Sequence, residues 1–127
     1  MRKIIAICLM TFSGITFGQV EIWACQAHAS AGLSWDGARW KPRAFSESPY
    51  LIRIDGADST YGHGETQYST ACSRQRNEVR CNDTTGGTIL LNTDTGSGAI
   101  SELLGAVVSQ SSQRDALTVT AIQCTRF

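Results

Sequence analysis

The residues best suited to chemistry lie in Tyr61-Gly62-His63-Gly64-Glu65, where a histidine and an acid stand two positions apart between glycines. A histidine oriented by an acid can activate a Ser, Thr or Cys nucleophile, and flanking glycines let such a loop approach a ligand closely. No Gly-x-Ser-x-Gly elbow accompanies the pair, and a solvated loop tip carrying a spare histidine accounts for the same residues. His63 is therefore a candidate binding residue, and no residue is assigned a catalytic role. Thr93-Asp94-Thr95-Gly96-Ser97-Gly98 invites a phosphate or calcium reading. It lacks the lysine and following helix of a phosphate loop and the carboxylates of a calcium loop, so a β-turn is expected, with Ser97 and Gly98 as a candidate binding edge. Arg74, Arg76 and Arg80 form a basic cluster that either solubilises an exposed hairpin or, through Arg76, meets an acidic partner.

The three tryptophans, Trp23, Trp35 and Trp40, have the flat apolar faces of a sugar-stacking platform. Core packing is the expected use, because the local pattern puts Trp35 and Trp40 on an apolar face. A metal centre finds little support: no C-x-x-C pair occurs, and the two histidines, His28 and His63, lie far apart. His28 reads as a structural or surface residue, and no cofactor is expected.

Positioning these residues falls to strands. Thr, Ser and Gly are frequent, apolar runs are short, and turn-forming clusters recur about every 8–12 residues, the spacing of an antiparallel sandwich or barrel. A first strand is expected over 20–29, with Trp23 and Cys25 on one face and Val20, Ile22 and Ala24 on the other. Leu33 to Trp40 predicts a hairpin with a two-residue type I′ turn at Asp36-Gly37. Trp35 then opposes Ala38 and Leu33 opposes Trp40. Pro42 and Pro49 bracket an irregular link. Tyr50, Ile52 and Ile54 share one face of the next strand, against Arg53 and Asp55. Residues 55–65 read as a polar loop or a loop with weak strands. A second hairpin joins 67–74 to 79–83, and a buried strand covers 88–91. Ala99 to Val108 is a strand pair or a strand bulged at Gly105. A polar loop runs from Ser109 to Asp115. In the last strand, 116–125, Leu117, Val119 and Ala121 alternate against Thr118 and Thr120.

The chain of 127 residues allows one domain. Its start reads as a secretory signal: Arg2 and Lys3, an apolar run from Ile4 to Met10 extended by Phe12, Ile15 and Phe17, then Thr16 and Gly18 as the small residues of a peptidase site. The expected organisation is a signal peptide over 1–18 and a single β domain over 19–127, with cleavage before Gln19. Thr11, Ser13 and Gly14 interrupt the run, and Glu21 follows it, which argues against a membrane span. Lipidation at Cys25 is disfavoured by the bulk of Trp23 just before it. Without Arg2 and Lys3, nine basic residues face eleven acidic ones. That balance lacks the basic field of a nucleic-acid binder.

Four cysteines remain after the leader, namely Cys25, Cys72, Cys81 and Cys124, and an even count in a small exported chain predicts disulfides. Cys72 and Cys81 are symmetric about Arg76-Asn77, so a hairpin centred there opposes them directly. Cys25 and Cys124 are then left to tie the first strand to the last. Two other pairings remain formally open.

The chain resembles a group of small exported bacterial proteins of unassigned activity. The resemblance rests on Trp23-Ala24-Cys25, Ala31-Gly32-Leu33-Ser34-Trp35, Gly37-Ala38-Arg39-Trp40-Lys41-Pro42, Phe45, Tyr50-Leu51-Ile52, the Cys72 and Cys81 pair, Leu91-Asn92-Thr93 and a last strand ending at Cys124. More distantly it is similar to periplasmic lysozyme inhibitors, small disulfide-bearing β-barrels. Ser97-Gly98-Ala99-Ile100 matches their Ser-Gly-x-x-Tyr motif in part, with Ile100 in place of the Tyr. The resemblance implies export and a shared fold, and it carries over no catalytic residue. Together these readings lead to a non-enzymatic, monomeric, periplasmic or secreted protein that binds a protein or small ligand in the envelope. An inhibitor of a foreign hydrolase such as lysozyme is the alternative, and a small hydrolase using His63 the third.

Overall fold

A computed structural model describes residues 18–103 and 116–127. The expected leader up to residue 17, the bulge at Gly105 and the loop from Ser109 to Asp115 lie outside the described residues. The described chain is all β apart from a short 3₁₀ turn, Gly56–Asp58. Its strands are β1 (Glu21–Trp35), β2 (Trp40–Ala44), β3 (Pro49–Ile54), β4 (Ser59–His63), β5 (Thr66–Gln75), β6 (Glu78–Asn82), β7 (Gly87–Asn92), β8 (Ser97–Glu102) and β9 (Ala116–Arg126). Every pairing is antiparallel. The sheet runs β2-β1-β3-β4-β5-β6-β7-β8-β9, and β1 also pairs with β9, which closes it. Eight strands thus form a barrel, and β2 is an outlying ninth that rides on the second half of β1. Closure decides between the barrel and the sandwich that the sequence left open. It also removes the free edges of all strands but β2, where Pro42 lacks the N–H that a pairing partner would need. No helix of the described residues is long and apolar enough to cross a membrane.

The interior follows from alternation. Trp23 and Cys25 on β1, Ile52 and Ile54 on β3, Val79 and Cys81 on β6, Ile89 and Leu91 on β7, and Ile122 and Cys124 on β9 are all buried. An eight-stranded barrel is just wide enough for such side chains to fill it. Each buried Val, Ile or Leu contributes roughly 1.5–3 kcal/mol relative to exposure.

One residue resets this alternation. The β1–β9 register slips between Ala27 and Ala29, so His28 is the extra residue of a β-bulge and stays exposed. Before the bulge the odd residues of β1 point inward. After it Ser30 points inward, and its hydroxyl lies 2.8 Å from that of buried Thr120. Leu33 and Trp35 consequently face outward, opposite Leu117, Pro42 and Trp40. The expected strand 20–29 is therefore the first part of a longer one. Trp35 and Trp40 do not join the core as expected. They meet edge to face outside the barrel, centroids 5.4 Å apart and each half-buried. β9 alternates without a break: Thr120, Ile122 and Cys124 are buried, so Val119, in the apolar set of the sequence pattern, faces outward and is 56% exposed.

The turn at Asp36 also departs from expectation. Trp35 pairs with Trp40 and Leu33 with Pro42, so the loop holds four residues, Asp36 to Arg39, instead of two. A type I′ turn needs positive φ at both central residues, and here only Gly37 has it, at +96°. The Asp36 carboxylate instead accepts the amides of Ala38 and Arg39 at 2.9 and 2.8 Å, so the aspartate side chain organises a longer loop. Residues 55–65 resolve the opposite way, as the 3₁₀ turn and a full strand, β4. The second hairpin forms as expected around Arg76-Asn77, with Cys72 opposite Cys81. Both expected disulfides are present, Cys72–Cys81 and Cys25–Cys124.

Candidate functional site

The two ends of the barrel differ in what lines them. One end is lined by paired charges. The Glu21 carboxylate receives Arg74 at 2.7 Å and the Trp23 indole N–H at 3.1 Å, with Arg126 at 3.7 Å. Its side chain is only 12% exposed. The hollow beside it, about 320 Å³ and bordered by Cys72 and Gly56, is flanked by charges that neutralise each other. Glu21→Ala is expected to lower stability by about 1–2 kcal/mol, since a charge-assisted, partly buried carboxylate is worth more than a surface pair. Chemical denaturation at low and high salt checks this; a loss under ~0.5 kcal/mol would class the contacts as an ordinary surface pair.

The Thr93–Gly98 loop at this same end is built as a locked turn. Asn92 Oδ1 accepts the amides of Asp94 and Thr95, Thr93 N–H donates to Asn77 O at 2.8 Å, and Gln123 Nε2 donates to Thr95 O at 2.7 Å. Gly96 has φ +73°, and a Cβ there would stand 2.1 Å from the Cys124 carbonyl oxygen. Ser97 Oγ lies 3.1 Å from Gln123 Oε1. Arg76, the one described non-glycine residue with positive φ (+57°), tips the neighbouring hairpin. Ser97, Gly98 and Arg76 therefore share one end of the barrel.

His63 lies at the other end, so the structure does not bring the four sequence candidates together. β4 and β5 meet there through a two-residue turn, with His63 opposite Thr66 and Gly64 at φ +58°. The imidazole meets the Tyr50 ring edge to face at 5.5 Å. Among the described residues no hydroxyl or carboxylate is hydrogen-bonded to it.

Among the described residues this second end is open, and aromatic residues line it. Tyr61 and Tyr68 oppose each other on β4 and β5 and stack at 5.3 Å with an interplanar angle of 30°. With Thr85, Gly87 and Glu102 they surround a cavity of about 160 Å³. Tyr50 reaches the same region from β3, packed against the core. Beneath the rim Asp83 acts as a hub. Its carboxylate accepts Gly87 N–H at 2.6 Å, Thr85 N–H at 2.8 Å, the Thr85 hydroxyl at 2.9 Å and the Tyr61 hydroxyl at 2.9 Å. Gly87 is required for this arrangement, because a Cβ would come within 2.2 Å of Asp83 Oδ2 and 2.7 Å of Tyr61 Oη.

Electrostatics at this end follow from burial and from two carboxylates. Burial raises the Tyr61 phenol above its ordinary range, and the bond to Asp83 adds to it. Burial also raises Tyr50, with the Glu102 charge second and contact with Thr120 working against both. For Asp83, burial pushes the carboxyl up, but donation from Gly87, Tyr61 and Thr85 more than reverses this and holds it below the usual value. Glu102 has no hydrogen-bond or ion-pair partner among the described residues. Glu102 and the three tyrosines escaped sequence reasoning because they come from four strands and no two form a motif. The one signal in the sequence was Tyr50, which the alternation of its strand puts on the same face as Ile52 and Ile54.

No family model, curated protein or solved structure matches this chain.

Proposed function

We propose that this is an exported, disulfide-bonded binding protein whose small ligand enters the open, tyrosine-lined end of the barrel. The observation that carries the reading is the different lining of the two ends: charges that pair with one another flank the hollow at one, while the cavity at the other has aromatic faces and a carboxylate, Glu102, with no partner among the described residues. Small-molecule sites have this composition, apolar walls with a few placed polar groups, and occur at the mouths of β-barrels. The disulfides support an oxidising compartment. Thr85→Trp tests the reading, because Thr85 lines the cavity from an exposed turn and the indole would fill it. Native mass spectrometry of protein purified from its own envelope is expected to find a small-molecule adduct on the parent and none on the variant. Absence of an adduct from both, or equal loading of both, overturns the reading.

The outer surface supports a second reading, the hydrolase inhibitor. A shallow groove of about 550 Å³ runs between Arg80, Leu90, Ser97 and Gly98, with Leu90 39% exposed. Leu90→Asp would abolish inhibition of lysozyme if this face docks it and would leave the parent's behaviour unchanged if it does not.

A further inference from the structure

We propose that the open end of the barrel takes a small organic ammonium ion, held against the tyrosine faces with Glu102 as its counter-charge. The inference rests on reading that end as the ligand site, and it adds the chemical class. Aromatic rings attract cations through their negative faces, and the attraction grows when the cation sheds water. Both Tyr61 and Tyr68 line the cavity; Tyr61 is buried, while Tyr68, stacked on it, remains 37% exposed. Tyr50 supplies a third ring nearby, and the Glu102 charge is felt at both Tyr50 and Tyr61.

The two carboxylates have different roles. Asp83 is occupied by four donated hydrogen bonds, whereas Glu102 lines the cavity with no partner among the described residues. An unpaired carboxylate beside aromatic rings lowers the energy of a cation and raises that of an anion. Two cationic side chains of β2 are otherwise engaged. Lys41 pairs with Asp36, and the Arg43 guanidinium lies 5.5 Å over the Phe45 ring. His63 packs edge to face with Tyr50. The cavity of about 160 Å³ holds roughly five water volumes of ~30 Å³, which suits a trimethylammonium-sized head group.

Choline and its uncharged isostere 3,3-dimethylbutan-1-ol separate charge from shape. The disulfide-bonded protein would be titrated with each through the millimolar range, following tyrosine ring protons and the ligand methyl resonance by NMR. Choline is expected to shift the Tyr50, Tyr61 and Tyr68 signals saturably, with its methyl protons moved upfield by the rings. The neutral isostere should bind about tenfold more weakly, Glu102→Gln should weaken choline about tenfold, and Tyr68→Leu about fivefold. Both substitutions lie at partly exposed positions, and unchanged melting temperatures confirm that the variants fold. Equal binding of choline and its isostere, unaffected by Glu102→Gln, would overturn the cation inference and leave the open end standing as a ligand site. No shift with choline would overturn the cation inference, and the Thr85→Trp comparison would then decide alone whether that end binds anything.

Discussion

Replacing Cys25 and Cys124 together by alanine is expected to cost about 4–5 kcal/mol, about 2 kcal/mol more than replacing Cys72 and Cys81. The two bridges are alike locally, since each joins directly opposed residues on neighbouring antiparallel strands. They differ in what they remove from the unfolded chain. Cys25 and Cys124 are 99 positions apart, and Cys72 and Cys81 are 9 apart. Loop-closure entropy values a 100-residue loop at about 4.7 kcal/mol and gives about 2.7 kcal/mol for ten residues. The longer bridge also fastens the β1–β9 seam, the pairing with the greatest sequence separation and hence the slowest to form. A domain of this size is stable by only ~5–15 kcal/mol, so the first double variant should approach unfolding at physiological temperature. Denaturant midpoints of the two double variants measure the difference. An equal or larger loss from the Cys72/Cys81 variant would show that hairpin packing around buried Cys81, and not loop entropy, sets the balance.

Asp83→Ala is expected to cost about 3 kcal/mol and to loosen the open end of the barrel, because it orphans two amides and a buried phenol at once. The amides are those of Thr85 and Gly87, and the phenol belongs to Tyr61, which is 3% exposed. Asp83→Asn is the milder change: its carbonyl oxygen can still accept the two amides, and the Tyr61 hydroxyl can turn to accept from the new NH₂. About 1 kcal/mol is expected for it. The two variants also separate by pH. Because the folded-state carboxyl of Asp83 lies below its unfolded value, the stability it contributes is complete above about pH 4 and is lost as pH falls through the folded value. Melting temperature against pH should therefore fall less steeply on the acid side for Asp83→Asn than for the parent. Parallel acid limbs would mean that another carboxylate governs acid unfolding.

Much of the scaffold was legible along the chain. The symmetry of Cys72 and Cys81 about Arg76-Asn77 located a hairpin and a bridge together, because a hairpin is a local object whose register its turn sets. Alternation in Tyr50-Leu51-Ile52-Arg53-Ile54 identified the inward face of β3 correctly, since period two survives wherever a strand is regular. The Asp36 loop was misread for a reason that is itself local. Asp-Gly also suits a loop in which the aspartate side chain, not a left-handed backbone pair, organises the amides.

The candidate site was much less legible. The sequence motifs favoured His63, Ser97, Gly98 and Arg76, and the barrel separates His63 from the other three. The open end instead gathers Tyr50 from β3, Tyr61 from β4, Tyr68 from β5 and Glu102 from β8. Such a cluster has no spacing signature, because its members become neighbours only through closure of the sheet.

By itself the sequence determined an all-β domain, its hairpins, and a disulfide pairing favoured by hairpin symmetry. Period-two patterning, turn residues and cysteine spacing act within a few residues, and they survive whatever the rest of the chain does. Only the tertiary structure decided barrel over sandwich, through the β1–β9 pairing. It also decided which side of the second half of β1 is inside. A single bulge at His28 inverts the alternation of β1, sending Leu33 and Trp35 to the outer face, where Trp40 of β2 meets them, and Ser30 to the inner one beside Thr120 of β9. Strand patterning sorts side chains into two sets, and only the closed sheet says which set faces the core, because burial is a property of the closed sheet.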